Sequence, residues 1–397
     1  MKSRRWLIAA LLFLATVINY VDRQTLSVLA ASISRELGLS NVEYSNVLTA
    51  FLVPYTFMYV LAGWLVDRWG SRFGLAVFMG WWSAANALHA LARGAMSLGF
   101  FRFLLGLGES GNFLAAAKAT SEWFPPGERA LANGLVNAAA STGAILAPPL
   151  IAFVTHLVGW RGAFVVTGLS GFVWIAAWWM LNSTRPPFGE ETGRGNVRYS
   201  ALWRMKESWG LLLARVFADP VWWFYLFWLP KYLQEERHFS LTAIALFAWM
   251  PYLAADFGSV VGGWVSGLLI RRRMEELRAR RWTMAPCALV MPVGILAAYL
   301  PTGEAMAVIC LVTFCHMAWK TNLMTMTNDV YPTAAVGSAS GVVGLGSGLG
   351  GVLSTPIVGR IVDGFGYTAV FWMMGFLHIV ATALVYATVR RRMAGVE

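Results

Sequence analysis

Long apolar runs recur along the whole chain of 397 residues, separated by short polar or Pro/Gly-rich stretches. Each run is about 20 residues long, which is enough for a helix to cross a hydrocarbon layer about 30 Å thick. The pattern therefore predicts an all-α membrane protein. The twelve predicted helices, numbered 1 to 12 in chain order, cover residues 6–32, 45–66, 73–93, 96–121, 129–154, 161–182, 215–236, 241–270, 283–301, 304–327, 334–359 and 367–389.

Composition narrows the class further, since 58% of residues are hydrophobic and only 13% are charged. The net charge of +11 comes from Lys and Arg clusters in alternate loops, which is the positive-inside pattern of membrane proteins. We therefore expect both termini in the cytoplasm and no nucleic-acid partner. The three cysteines have no paired spacing, so no disulfide or metal site is expected. Because charges interrupt the first apolar run, it predicts a first span rather than a cleaved leader.

An internal repeat divides the chain into two parallel halves of six helices. The stretch from Ser121 aligns without gaps with the stretch from Asn328, and matched pairs include Gly159 with Gly366. Repeats of this kind are typical of secondary transporters, whose substrate sites lie near the bilayer midplane. The predicted domains are an N-terminal half at 1–182, a basic cytoplasmic linker at 183–214 and a C-terminal half at 215–397.

Ionisable residues inside predicted helices are the main candidates for function, because each costs about 2.5–3.5 kcal/mol on insertion scales. In "INYVDRQTL" of helix 1, neighbouring residues differ by 100° in direction, so Asp22 and Arg23 cannot share a face. Tyr20 and Arg23 do share one and could bind the hydroxyl and carboxylate of a ligand. We expect Asp22 to turn towards helix 4; mutual neutralisation of Asp22 and Arg23 is the alternative.

Helix 4 contains "RFLLGLGESGNF", in which Arg102 and Glu109 lie two turns apart on one stripe. Burial in a membrane favours the neutral form of a carboxyl group, so Glu109 is a candidate for proton coupling. A structural glutamate, permanently paired or protonated, is the alternative. The formal GxGxxG pattern has no preceding strand and is better explained by close helix packing than by a nucleotide site.

The second half carries its own candidates. The repeat places His316 opposite Glu109, and Lys320 lies one turn later as a possible second cation for an anionic ligand. His316 is predicted to take part in proton coupling, although a buried packing role is the alternative. Asp256 is assigned to structure or to a second proton site. Four neutral side chains are candidate readers of substrate hydroxyls: Tyr55, Asn137, Tyr225 and Asn322.

Several motifs together resemble a known family. "GWLVDRWGSR" resembles the loop signature of the major facilitator superfamily, and "RFLLGLGESGNF" with "SEWFPPGERA" is similar to its anion:cation symporter branch. "VINYVDRQTLSV", "WLPKYL" and "AADFGSVVGGW" resemble bacterial hexuronate and sugar-acid members of that branch. The similarity covers nearly the whole chain and implies proton-driven uptake of an organic anion by alternating access.

The resemblance also implies roles for particular residues. Arg23 would hold the substrate carboxylate, Asp22 and Glu109 would carry protons, and Arg102 would modulate them. Asp67 with Arg68 would belong to a cytoplasmic gate. Two features depart from the family: the repeat "GGWVSGLLIRRR" lacks the acid that matches Asp67, and Lys320 is not general.

The sequence thus predicts a symporter of a bacterial inner membrane, not an enzyme, that imports a small anion such as a hexuronate together with protons. We expect no cofactor, lipid as the surrounding medium and a monomeric state. Export of organic anions or drugs is the alternative. A membrane enzyme would need a cluster of catalytic or metal-binding groups at one membrane face, and the sequence has no such cluster.

Overall fold

The computed structural model describes residues 2–182, 202–331 and 336–389, and within these ranges the chain forms helices and short connections without a β-strand. The predicted all-α fold is therefore confirmed. The main helices are Lys2–Val28, Ala30–Leu37, Asn41–Leu88, Ala95–Glu109, Asn112–Trp123, Pro126–Leu181, Lys206–Glu235, Leu241–Phe247, Met250–Arg271, Glu276–Val290, Thr302–Val330 and Val336–Thr388, with short 3₁₀ segments at His89–Leu91 and Met291–Ala298.

Three of these helices are too long for one crossing, and each is divided by one glycine. Gly70, Gly159 and Gly366 have φ of 77°, 70° and 73° with extended ψ, a conformation that side chains with a Cβ rarely adopt. Each glycine turns the chain between two spans. Within the described residues the chain thus has twelve helical segments, called helices 1 to 12 from here on, at 2–28, 41–69, 71–88, 95–123, 126–158, 160–181, 206–235, 241–271, 276–298, 302–330, 336–365 and 367–388.

Apolar side chains cover the outside of these spans. Phe153, Val173 and Val260 are 63%, 72% and 70% exposed, as expected of residues that face lipid rather than water. Seven helices of the described residues are long and apolar enough to cross a membrane, and two of these contain two spans each. The chain is thus a multi-pass membrane protein.

Several predicted boundaries differ from the observed ones by four residues or more, among them the end of helix 1 and the starts of helices 7 and 9. Helix 1 ends at Val28, and the rest of its apolar run forms the separate helix Ala30–Leu37 after a turn at Leu29. Helix 7 begins at Lys206, nine residues earlier than predicted, because Leu211 and Leu212 are buried in a hydrophobic cluster of the same unit.

The described residues form two compact units. The first contains residues up to 182 together with 226–249, and the second contains 202–225 together with those from 250 onwards. Glycines that the repeat relates have the same packing role in each unit. A Cβ on Gly143 would come within 2.9 Å of the Val17 carbonyl oxygen of helix 1, and one on Gly350 within 2.7 Å of the Val216 oxygen of helix 7. The two halves thus use one packing scheme, in which a glycine of helix 5 or 11 admits helix 1 or 7.

Replacing Gly366 with alanine is expected to lower the free energy of unfolding by about 1–3 kcal/mol, since the Cβ strains a left-handed backbone. Gly159→Ala should act alike because it has the same conformation. Gly134→Ala is the matched control, because no atom lies within 4 Å of the added Cβ and φ is not positive. The midpoint of thermal unfolding in detergent measures the effect; equal midpoints for all three variants would contradict it.

Candidate functional site

A buried ion pair joins helices 1 and 4 in the first unit. Arg23 Nε donates to Glu109 Oε2 over 2.8 Å, and Nη2 donates to Asn19 Oδ1 over 3.3 Å. Both charged side chains are at most 2% exposed. Helical phase predicted that Arg23 and Asp22 point in different directions, and the carboxylate that neutralises Arg23 is Glu109 rather than Asp22. A pair so deeply buried is costly to break from one side.

Aromatic rings surround the Arg23 guanidinium. Its Cζ atom lies 4.9 Å from the ring centre of Tyr20, 5.3 Å from that of Phe51 and 4.8 Å from that of Tyr55. Ring faces attract a cation while excluding water, so they strengthen the binding of any anion that reaches it. The sequence brought Tyr20 and Tyr55 forward as site residues, whereas Phe51 was missed because nothing distinguishes it from a packing residue.

Arg102 has a different environment from Arg23. Its Nη2 donates to the backbone carbonyl of Arg23 over 3.1 Å, and its Cζ lies 5.7 Å from the Phe51 ring centre. Among the described residues, Nε and Nη1 of this fully buried side chain have no hydrogen-bond partner. Arg102 thus adds positive charge beside the pair without a carboxylate of its own.

Asp22 has a different partner from the one expected from the sequence, which was on helix 4. Asp22 Oδ1 accepts a hydrogen bond of 2.8 Å from the Asn86 side chain of helix 3, not from helix 4. Asn86 also donates to Thr167 of helix 6 over 2.8 Å. The reason is that Arg23 takes the face of helix 1 towards helix 4, and its neighbour is rotated by 100° from it. Asp22 Oδ2 has no hydrogen-bond partner among the described residues.

The second unit contains a buried ion pair that the sequence analysis missed. Arg215 donates to Asp219 Oδ2 from Nε over 2.9 Å and from Nη2 over 2.6 Å, one turn apart on helix 7. Both side chains are less than 10% exposed. The i, i+4 spacing of opposite charges was the available signal, but the helix had been predicted to begin at Arg215 itself.

Lys320 and His316 both lie beside the Trp222 ring. The Lys320 ammonium lies 5.7 Å from a ring centre of Trp222, and the His316 ring stacks on Trp222 at 5.8 Å with planes 7° apart. His316 Nδ1 lies 3.0 Å from Nε2 of His378 on helix 12. His378 was not predicted, since a single histidine in an apolar helix carries no distinguishing pattern. Helices 7, 10 and 12 thus gather two imidazoles, an ammonium and an indole.

The remaining neutral candidates occupy different surroundings. Asn322 is buried, and its amide nitrogen donates to the carbonyls of Gly262 and Ala318 over 3.0 and 2.9 Å, which joins helix 10 to helix 8. Tyr225 is buried and lines a small apolar cavity with Gly294 and Phe371. Asn137 is exposed on helix 5. Within the described residues, no three His, Cys, Asp or Glu side chains are arranged to hold a metal ion.

The predicted gate is only partly described. The side chain of Asp67 lies outside the described residues, and Arg68 Cζ lies 5.7 Å from the ring of Trp64. At the corresponding end of the second unit, Arg280 donates to Asp329 over 3.0 Å and to Ser266 over 2.6 Å. These contacts join helices 8, 9 and 10, although the second repeat has no acid at the position that matches Asp67.

Replacing Arg215 with methionine is expected to cost about 3–5 kcal/mol of unfolding free energy, because Asp219 then stays buried without its partner. The double variant Arg215→Met with Asp219→Leu removes both charges and should recover most of that loss. Thermal unfolding of both variants in detergent is the measurement. A double variant as unstable as the single one would show that packing, not charge pairing, sets the cost.

Comparison with protein families gives one match that covers most of the chain. The family model described as Major Facilitator Superfamily matches residues 12–319 and 273–396. The fold is also shared with a solved structure, a bacterial homolog of the human lysosomal transporter Spinster in an inward-facing and occupied conformation. The TM-score is 0.84 over 98% of this chain and 97% of that one, at 17% sequence identity.

Curated relatives align over most of their length as well. The hexuronate transporter of Escherichia coli strain K12 is 28% identical over 99% of this chain and 96% of its own. The galacturonate transporter of Dickeya chrysanthemi is 31% identical over 78% of this chain and 95% of its own. The probable sulfoacetate transporter SauU of Cupriavidus necator is 31% identical over 95% of this chain and 93% of its own.

Proposed function

Because the chain belongs to the Major Facilitator Superfamily, a family of membrane transport proteins rather than enzymes, we propose that it is a proton-coupled symporter. It imports a small organic anion, of which a sugar acid such as a hexuronate is our candidate, by alternating access. It resides in a bacterial inner membrane with both termini in the cytoplasm, and it functions as a monomer. The named relatives support the substrate class, since hexuronate and galacturonate both carry a carboxylate on a hydroxylated carbon skeleton.

The observation that carries the proposal is the buried pair of Arg23 and Glu109. Arg23 is a carboxylate-binding group inside an aromatic enclosure, and its charged partner is a side chain that can take up a proton. A substrate carboxylate and the Glu109 carboxylate compete for the same guanidinium. The site is therefore suited to bind an anion when the Glu109 carboxylate releases the Arg23 guanidinium.

Protonation of Glu109 provides the coupling. A proton on the Glu109 carboxyl group removes its negative charge, so the ion pair with Arg23 is lost and the guanidinium becomes available to an external carboxylate. Proton and anion then bind together because each favours the other, as thermodynamic linkage requires. Asp22 is the second proton carrier, and its unpartnered Oδ2 is an open position for that proton.

Other residues complete the proposed mechanism. Tyr20 and Tyr55 position the substrate beside Arg23, and Arg102 offsets the negative charge of Glu109. Lys320 supplies a second cation, with His316 as a further proton carrier. Asn137, Tyr225 and Asn322 remain predicted readers of substrate hydroxyls, and Asp67 with Arg68 a predicted gate.

Uptake of labelled galacturonate into proteoliposomes with an imposed proton gradient tests the proposal. We expect accumulation when the outside is acidic and only equilibration without a gradient. Accumulation that does not depend on the proton gradient would overturn the proposed symport with protons. Export of organic anions is the second candidate, because either direction uses the same anion site. Comparing inside-out with right-side-out vesicles under the same gradient distinguishes the two.

A further inference from the structure

Two histidines on different helices of the second unit share one hydrogen bond. Nδ1 of His316 on helix 10 lies 3.0 Å from Nε2 of His378 on helix 12, and both side chains are fully buried. These two residues are called the histidine pair below. His378 has no role in the proposed mechanism, so the pair contains a buried titratable group whose function is still to be assigned.

The outer nitrogens of the histidine pair are not hydrogen-bonded. A neutral imidazole has one N–H group and one bare nitrogen, so one ring of the pair donates to the other. The two outer nitrogens, His316 Nε2 and His378 Nδ1, have no hydrogen-bond partner among the described residues. Whichever ring donates, one of these nitrogens carries a hydrogen and the other is bare. The pair therefore always presents one basic nitrogen to an incoming proton.

Aromatic packing holds both rings in position. The His316 ring stacks on Trp222 at 5.8 Å, and the His378 ring meets that of Trp319 at 5.2 Å and 74°. Trp319 Nε1 donates to the hydroxyl of Thr382, one turn beyond His378, over 2.8 Å. Neither imidazole can turn away from the other without disturbing these contacts between helices 7, 10 and 12.

The geometry of the histidine pair suits one added proton and not two. A proton on the bare outer nitrogen makes the bond between the rings charge-assisted, and such bonds are roughly twice as strong as neutral ones. Two positive rings whose nitrogens are 3.0 Å apart would repel each other strongly in a buried site. The two side chains therefore bind a proton as one unit, as strongly interacting groups do.

The charges around the histidine pair oppose that proton when no anion is bound. Arg215 and Asp219 of helix 7 and Lys320 of helix 10 face His316, and Asp219 also faces His378. Arg215 neutralises Asp219 through two hydrogen bonds. The Lys320 ammonium, one turn from His316, thus gives these three groups a net charge of one positive unit, which disfavours a further positive charge. An anion bound to Lys320 would cancel it.

Helix 8 also packs against helix 10, but its acid lies to one side of that contact. Gly258 and Gly262 approach the backbone of helix 10, and the Ser259 hydroxyl lies 2.7 Å from that of Thr321. Asp256 is rotated by about 100° from the middle of this face. The charges that act most directly on the histidine pair are therefore those of helices 7 and 10.

We propose that His316 and His378 form a second proton site, in which two rings share one proton, and that it fills when an anionic group of the substrate binds Lys320. The proton adds to the bare outer nitrogen, no other covalent bond forms or breaks, and the proton leaves with the anion. The first unit has no such pair at the matching positions, since the repeat places Glu109 opposite His316 but Gly171 opposite His378. The inference rests on the proposed symport and adds a coupled proton in the second unit.

The protonation state of the rings can be measured without substrate. Lys320→Gln removes the ammonium that a bound anion would cancel, so we expect the histidine pair of this variant to hold one proton at about pH 6, where the parent pair is neutral. Nitrogen NMR of protein labelled with ¹⁵N in its histidine side chains is the measurement. The exposed His156 serves as the control and should look the same in both proteins. A neutral pair in the variant, or two rings that titrate separately, would overturn the proposal.

The number of protons taken up with each anion tests the coupling. Calorimetry of galacturonate binding in buffers of different ionisation enthalpy gives this number. We expect His378→Phe, His316→Gln and the double variant each to take up about one proton fewer than the parent, because the two rings share a single proton. Their anion affinity should accordingly change about tenfold less for each pH unit. Each variant is compared with the parent by thermal unfolding, and His156→Gln should leave the number unchanged. Unchanged uptake in the single variants, or twice the loss in the double variant, would contradict the shared site.

The two measurements separate this inference from the proposed function. If the protein binds no galacturonate, the proposed substrate is overturned, and the NMR signals of Lys320→Gln still decide whether the rings share a proton. If galacturonate binds and Glu109→Gln loses a proton while the histidine variants lose none, the proposed symport is supported and the histidine pair is overturned as a proton site.

Discussion

Replacing Arg23 with lysine or glutamine is expected to abolish proton-driven uptake and to weaken anion binding by roughly 30-fold or more. Removing one partner of a buried, hydrogen-bonded charge pair costs about 2–5 kcal/mol, and each 1.4 kcal/mol is a factor of ten. Lysine keeps the charge but loses the planar group that fits a carboxylate and packs against Tyr20, Phe51 and Tyr55. Calorimetric titration with galacturonate measures the binding loss, and uptake into proteoliposomes measures the transport loss.

Folding must be controlled in this experiment, because either substitution disturbs the pair with Glu109. The double variant Arg23→Gln with Glu109→Gln removes both charges and should fold as well as the parent, yet it should still not bind the anion. Arg35→Lys, an exposed arginine after helix 1, is the matched control with unchanged binding. If the double variant bound the anion, the role of Arg23 would be to pair with Glu109 and not to bind the substrate.

Glu109→Gln is expected to separate anion exchange from proton-driven accumulation. Glutamine cannot carry a proton in and out, but it leaves the Arg23 guanidinium without a competing negative charge. Binding should therefore become stronger at neutral pH and lose its dependence on pH, whereas the parent binds better at acidic pH. Counterflow exchange persists, and accumulation under a proton gradient falls to simple equilibration.

The loss of accumulation has a defined size. A gradient of one pH unit supports about tenfold accumulation for each coupled proton, so the parent should exceed the Glu109→Gln variant by at least that factor. Glu304→Gln at the exposed start of helix 10 is the control and should accumulate like the parent. Intact, pH-dependent accumulation by Glu109→Gln would assign the proton to another group, with Asp22 as the first candidate.

Much of the fold could be predicted from the sequence, because membrane spans repeat a simple pattern of length and polarity. The twelve helices and the repeat that relates Gly159 to Gly366 were both predicted, and the two glycines have almost the same backbone angles. The turn after Val28 and the early start of helix 7 were not predicted. Both depend on packing against residues far away in the chain, and no local pattern encodes that.

The same distinction applies to the site. Helical phase placed Tyr20 beside Arg23 and separated both from Asp22, since directions around one helix follow from spacing alone. Phase could not identify partners on other helices, so Asn86 was missed and Asp22 was assigned to helix 4. Asp219 could have been found from its spacing to Arg215. His378 and Phe51 could not, because their importance lies only in what packs against them.

The proposed coupling through Arg23 and Glu109 also determines what an empty carrier would do to the cell's proton gradient. With no anion bound, a proton on Glu109 leaves a bare guanidinium in a dry, aromatic enclosure, which is costly. The empty carrier with a proton on Glu109 is therefore energetically unfavourable, so it does not readily reorient. In the proposed coupling, protons therefore cross the membrane only together with cargo, and an idle carrier in a starving cell would not dissipate the proton gradient.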